Sequence, residues 1–490
     1  MNRREFAGLT AAGLFAQNSG APKIHAHIDA NIHRHIERIQ EYIRQPSISA
    51  EKKGVRECAA LTERYLKEAG CQETAIVDTP GHPAVWGSLD AGARKTVVVY
   101  WMYDVQPVNE SEWSSPPFEA QLVPAAGWGP DAKLIRGRGA QNQKGPERAF
   151  LNAVESISAA GSKLPVNLLF LCEGEEELGS PNMPLIVGRY KERLVKADGV
   201  LFPSTNLGRD GRALFTLGNK GIVYMELETH GGPQGGPKIA EIHSSNKAVV
   251  DSPSWRLVQA LATMTDASGN TIRIDGFRSA IRKPTPREND IFETYVETYD
   301  GAAAMRGLGI DRFADGMDKR EALRRLWFEP SLNIDGLWSG YTGPATKTIL
   351  PHKANAKIDF RLVPDQSAAE VVKIVRKHLD DNGFTDVKIN WWNGYDPSQS
   401  APDSALIRAG MDVCRAHGIR TEVALRLAGS APHYLFTRDL GLPLLMFGLG
   451  HGGGAHSKDE FLIVDAPAPA RGLAFMEKAF VDLLYRFAEI

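Results

Sequence analysis

"VNLLFLCEGEEE", residues 166–177, is the stretch on which the fold turns. Leu168 to Cys172 form an unbroken apolar run, and a cluster of carboxylates follows it. Three other stretches share this form: "TVVVYWMYDVQP" (96–107), "DGVLFPSTN" (198–206) and "LPLLMFGLG" (442–450). Short, near-continuous apolar runs separated by helical segments indicate strands of a parallel or mixed sheet buried on both faces. The expected class is therefore α/β, with helices covering a mostly parallel sheet. All four runs end in polar or glycine-rich sequence. Sites in open α/β sheets form outside the carboxyl ends of strands. Asp104, the glutamates at 173–177, Ser204 and the glycines after 447 thus become candidates for one shared site.

The chain has 490 residues, enough for two or three domains. Its apolar content of 43% and charged content of 24% are those of a globular protein. A net charge of −2 gives no field that would draw it to nucleic acid or an anionic membrane. Cys58, Cys71, Cys172 and Cys414 have neither metal-ligand spacing nor the density of a disulfide framework. The first 23 residues carry Arg3 and Arg4, then Phe6 and a run of small residues. That resembles a twin-arginine export signal, so the expected location is periplasmic or extracellular. No stretch is long and apolar enough to span a bilayer as a helix.

The middle reads differently. "GIVYMELETHG" (221–231) and "ANAKIDFRLVPD" (354–365) alternate polar and apolar residues, as half-exposed antiparallel strands do. "SPSWRLVQALATM" (252–264) is helical with a Ser-Pro start. Residues 220–395 are therefore read as a smaller inserted α+β domain, and residues 24–219 with 396–490 as the main domain.

Three stretches carry candidate chemistry. In "CEGEEELGS" (172–180) a strand delivers crowded carboxylates, which repel one another and raise their pKa values unless a cation is present. In "GLGHGGGAHSKDEF" (448–461) glycines bring the backbone close to a site and set His451 and His456 at its rim. In "RGRGAQNQKGPE" (136–147) the amides Gln141, Asn142 and Gln143 occupy a loop–helix junction where carboxylates would be ordinary.

Together with "YDVQPV", "LPVNLLFL" and "GYTGPATKTILPHKANAKIDFRLVPDQ", these stretches resemble the zinc-dependent carboxypeptidase and dipeptidase family, in its carnosinase-like branch. The likeness runs from about residue 30 to the C-terminus. It implies a metal-dependent amide hydrolase with a cocatalytic zinc pair, and a ferredoxin-like inserted domain that serves as lid and homodimer interface. Glu176 falls at the position of the general base. Glu177 and His456 fall at the ligands of one metal, and Asp104 at the residue that orients a ligand of the other. His243 falls at the histidine lent across the dimer interface. Arg361 falls at the receptor of the substrate carboxylate, and Gly429 and Ser430 at the loop lining the substrate pocket. The implied substrate is a small peptide or N-acyl amino acid with a free carboxylate.

The pattern then breaks. Met102 stands where the family has its first His ligand, Asn142 where it has the bridging Asp, and Ser204 where it has a third ligand. Leu427 replaces a Glu. Thioether, amide and hydroxyl are poor substitutes for imidazole and carboxylate at zinc. Three readings follow. The first is an exported amide hydrolase with one zinc or other divalent metal, or a rearranged site in which His433 or His451 completes the ligands. The second is a catalytically dead relative that binds a ligand. The third is a metal-free acid–base enzyme using Glu176, with Asn142 and Gln143 as hydrogen-bond donors. In every reading Met102 can fill the space of a lost metal, and the amides can bond to Glu176 or Glu177.

Overall fold

The computed structural model describes residues 21–490. The expected export segment, 1–23, lies outside them except for its last three residues, which open the helix Ala21–Arg44. Among the described residues no helix is long and apolar enough to cross a membrane. The chain forms two compact units. One holds the residues through Leu217, Ser400–Ala424 and Leu435–Ile490. The other holds Gly218–Gln399 and Leu425–Tyr434.

The first unit is built on a six-stranded sheet in the order Glu73–Val77, Ala84–Leu89, Asn167–Glu173, Thr96–Met102, Gly199–Pro203, Leu444–Phe447. The last four strands are mutually parallel, and the first two join antiparallel. These four are the apolar runs identified from sequence. Ala84–Leu89 and Gly199–Pro203 are buried throughout, and Thr96–Met102 and Asn167–Glu173 at all but their first residue. Burial on both faces is what makes such strands continuously apolar instead of alternating. The helices Ala21–Arg44, Lys144–Ala159 and Leu473–Glu489 pack on one another. A small antiparallel sheet, Gly452–Gly453, Phe461–Asp465, Lys133–Arg136 and Gln121–Pro124, adds to this unit. The sequence pattern gives no sign of it, because its strands run only two to five residues.

The second unit has a four-stranded antiparallel sheet ordered Ser331–Ser339, Lys353–Leu362, Gly221–His230, Lys388–Tyr395. Helices Pro253–Met264 and Ala368–Asp381 cover one face, closing a core that includes Val223, Met225, Leu227, Ile358 and Phe360. In chain order this is β-α-β-β-α-β, the ferredoxin-like arrangement. The helices Pro286–Thr298, Gly301–Leu308 and Lys319–Phe328 intervene between its first helix and second strand.

One ion cluster in this unit has a pH signature. Buried Glu288 takes both Arg282 guanidinium nitrogens at 2.6 and 2.8 Å, the Thr285 N–H at 2.8 Å and Arg426 Nη2 at 3.3 Å. Burial alone would raise its carboxyl. The Arg282 bonds, the Thr285 N–H and the Arg426 charge outweigh burial and hold it at about 2, against an ordinary 4.5. A depressed folded-state pKa stabilises fully above the ordinary value and is lost as pH falls through the folded one. Glu288→Gln is expected to flatten the acid limb of stability between pH 4.5 and 2, read by circular dichroism during denaturant titration. An acid limb as steep as the parent's would assign that sensitivity elsewhere.

Candidate active site

Asp104 follows the strand Thr96–Met102 and is fully buried. Its Oδ1 accepts the Glu176 N–H and its Oδ2 the Glu177 N–H, each at 3.1 Å. The carboxylate thus forks over the turn that presents both glutamates. Burial, partly offset by a Ser49 hydrogen bond and augmented by the Glu177 charge, raises Asp104 to about 7. Glu173 ends the neighbouring strand, and its Oε1 accepts from the Tyr100 hydroxyl at 2.6 Å and Ser180 Oγ at 2.9 Å. Burial raises it to about 8. The Glu176 carboxyl is pushed well above the usual range by burial, then by the charges of Glu177, Asp104 and Glu173.

The amide loop is held from the small sheet. The Glu460 side chain, fully buried just before Phe461–Asp465, accepts four hydrogen bonds. Arg138 Nη1 (2.6 Å) and the Gly139 N–H (3.0 Å) meet one oxygen. The Gln141 N–H (2.9 Å) and Asn142 N–H (2.7 Å) meet the other. Burial nonetheless leaves this carboxyl raised. His456 lies in the loop before it at φ +58°, a left-handed conformation rare outside glycine.

These loops bring Asn142, Glu177 and His456 together. Asn142 Nδ2 donates to Glu177 Oε1 at 2.8 Å and lies 3.1 Å from His456 Nε2. His456 Nε2 is 3.1 Å from Glu177 Oε2, which also accepts from Gln106 Nε2 at 2.8 Å. The Glu177 hydrogen bond raises the His456 pKa. Two amides and an imidazole therefore surround a carboxylate that in the resembled family faces a metal.

Met102 is buried at the strand end, and its N–H donates to Glu147 Oε1 at 2.7 Å. Burial pushes Glu147 well above the usual range, and its Oε2 is buried with no hydrogen-bond partner. Ser204, also buried, follows Gly199–Pro203, and its N–H donates to the Phe447 carbonyl at 2.9 Å. Gln143 departs from expectation: its Oε1 is buried and unpartnered, and among the described residues it makes no bond to Glu176 or Glu177. His451 is not at a rim. It is buried against Trp128, ring centroids 5.0 Å apart, with Nδ1 3.1 Å from the Leu207 carbonyl.

The remaining candidates belong to the second unit. Arg361 Nε donates to Asp359 Oδ1 at 2.8 Å and Nη1 to Ser430 Oγ at 3.2 Å, which ties it to the Gly429–Ser430 loop. Leu427 is exposed. His433 is buried with Nδ1 2.9 Å from Asn219 Oδ1, and burial lowers its pKa to about 4. His243 is exposed, with Nδ1 2.8 Å from Ser245 Oγ and Nε2 3.1 Å from Thr348 Oγ1.

Sequence reasoning missed Glu460, Glu147 and Gln106. Glu460 stands four residues after His456 in a stretch already singled out, and Gln106 lies in "YDVQPV". Either could have been found by asking what supports the loop.

The donor set decides whether the family's metals fit. Of the resembled ligands only Glu177 and His456 remain, and they bind each other. Zinc sites use three or four nitrogen, thiolate or carboxylate ligands. Among the described residues no group of three or more His, Cys, Asp and Glu side chains is placed to hold a metal ion. The residues present do not fit a metal pair, and a single ion on Glu177 and His456 would lack a third protein ligand.

Comparison with known proteins agrees with this architecture. A Cys-Gly metallodipeptidase of Candida albicans is 29% identical over 465 residues, covering 88% of this chain and 90% of its own. The human Beta-Ala-His dipeptidase is 27% identical over 399 residues, 76% of this chain and 75% of its own. The crystal structure of an M20 family metallo-carboxypeptidase from Sulfolobus solfataricus superposes with a TM-score of 0.82 at 30% identity, covering 93% of this chain and 99% of that one. Residues 102–480 match the profile of peptidase family M20/M25/M40, and the chain belongs to that family.

Proposed function

We propose that this protein is a dipeptidase-type amide hydrolase that uses carboxyl acid–base chemistry where its relatives use metal. The observation that carries this is the Asn142 amide bound to Glu177 and beside His456, which supplies hydrogen-bond donors in place of cationic charge. Glu176 takes a proton from the attacking water and passes it to the leaving amine as the C–N bond breaks. A pKa raised by burial brings a carboxyl toward the working pH, where proton transfer is most effective. Asn142 and Gln106 offer N–H donors for the developing oxyanion. Arg361 receives the free carboxylate of a small peptide or N-acyl amino acid, beside Gly429 and Ser430, and Asp104 fixes the turn carrying the base. His243 acts across a homodimer interface. Export by the twin-arginine route rests on Arg3, Arg4 and the small residues after them.

Exhaustive chelation is expected to leave dipeptide hydrolysis intact, with no stoichiometric zinc by elemental analysis. Activity lost on chelation and regained with added metal would overturn the reading. The triple variant Met102→His, Asn142→Asp, Ser204→Asp restores the resembled ligands and is expected to take up about two zinc ions per chain.

A second reading, a ligand-binding relative without activity, is favoured by the number of donors already engaged on Glu177. It requires that the unaltered protein bind peptides without cleaving them.

A further inference from the structure

Lys220 immediately precedes the strand Gly221–His230 and is 4% exposed. Its Nζ donates to the Glu329 backbone carbonyl at 2.6 Å. Among the described residues no carboxylate pairs with it. A buried ammonium without a counter-charge is costly, and a carbonyl dipole offsets only part of that cost. Its surroundings add to the imbalance. Burial, then the charges of Arg426 and Arg361, lower its pKa to about 8, and Glu329 only partly opposes them.

Lys220 also lines a cleft of about 510 Å³ with Arg278, Arg324, Arg325, Glu321 and Glu329. The acids there are already engaged. Glu329 accepts from Arg278 and, at 3.1 Å, from Arg324 Nη1. Glu321 accepts two Arg324 bonds at 2.8 and 3.0 Å. Arg325 reaches Asp315 at 3.0 Å. The three arginines are thus each paired with a carboxylate, Arg325 with Asp315 outside the cleft lining, and the ammonium left over is the buried one.

The cleft adjoins Arg361 through the sheet. Ser331, another lining residue, is the cross-strand partner of Arg361, as is Ile222, two residues beyond Lys220. Diagonal neighbours in such a sheet lie about 7–8 Å apart, within reach of long side chains.

We propose that Lys220 reads a second acidic group on the ligand, so that the preferred peptide ends in an acidic residue. The α-carboxylate meets Arg361 and the side-chain carboxylate enters the Lys220 cleft. This rests on the proposed function above, since it takes Arg361 as the receptor of the free carboxylate. The ligand supplies the counter-charge that the protein leaves out.

The test uses the full-length Glu176→Gln protein, to separate binding from turnover, with Gly-Glu and Gly-Gln titrated by calorimetry. Gly-Glu is expected to bind at least about tenfold more tightly, the scale of one charge-assisted contact. Lys220→Met should remove that preference while leaving Gly-Gln affinity unchanged, and Lys220→Arg should retain it. Retained Gly-Gln affinity also reports that the Met variant is folded. Should that variant fail to fold, the Glu-over-Gln preference of the Lys220 protein still decides. Equal affinity for the two peptides, or a preference that survives Lys220→Met, overturns the role of Lys220 and leaves the hydrolase reading standing. Binding of neither peptide overturns both.

Discussion

Glu176→Gln is expected to lower kcat for dipeptide hydrolysis by about 10²- to 10⁴-fold with KM little changed, the range that removing a general acid–base costs. The substitution keeps size and shape and removes only the ability to carry a proton. It leaves the turn intact, because Asp104 holds residue 176 by its backbone N–H and not by its side chain. The carboxyl is raised by burial and by the charges of Glu177, Asp104 and Glu173, so a neutral amide also relieves repulsion. Thermal stability should therefore hold or rise while turnover collapses. That opposition separates a catalytic group from a structural one, which would lose both. A kcat within a few-fold of the parent would remove Glu176 from the chemistry.

Glu460→Gln carries the largest expected effect on stability, a loss of about 3–5 kcal/mol in urea unfolding, as for other buried pairs stripped of one partner. Arg138 is 4% exposed and would remain buried without its counter-charge. The three backbone N–H groups of residues 139, 141 and 142 would face an amide with one acceptor oxygen and an NH₂ group instead of two acceptors. Volume is conserved, so lost packing cannot account for the change. Adding Arg138→Met should recover part of the loss, since removing both partners costs less than orphaning one. A loss under about 1 kcal/mol would mean that the loop has other support.

The parallel core was legible because burial on both faces forces a continuous apolar run, and each of the four runs became a strand of the main sheet. Alternation marked Gly221–His230 because one covered and one open sheet face impose it there, whereas Lys353–Leu362 alternates in sequence but also buries its polar Asn355 and Asp359. The small sheet was not legible, because strands this short leave no periodicity to detect. His451 was misplaced for a related reason. Glycines around it suggest an open loop, whereas the Ile463 N–H bonds its carbonyl and Trp128 covers its ring. Glu147 gave no signal, since an acidic residue in the first turn of a helix is what the helix dipole favours anyway. The replacements at 102, 142 and 204 stood out only because the surrounding motifs were intact. That Asn142 bonds to Glu177, and Gln143 to neither glutamate, depends on the tertiary course of the loop.

The grip of Glu460 on that loop reaches further than its stability. It holds Gly139, Gln141 and Asn142 by their main-chain N–H groups, so the path of the loop does not depend on which side chains residues 141 and 142 carry. Amides and carboxylates of nearly equal shape can therefore exchange there one mutation at a time, each intermediate still folded. A support of this kind separates heritable shape from heritable chemistry. It opens a continuous evolutionary route between carboxylate-bearing and amide-bearing forms of the same loop.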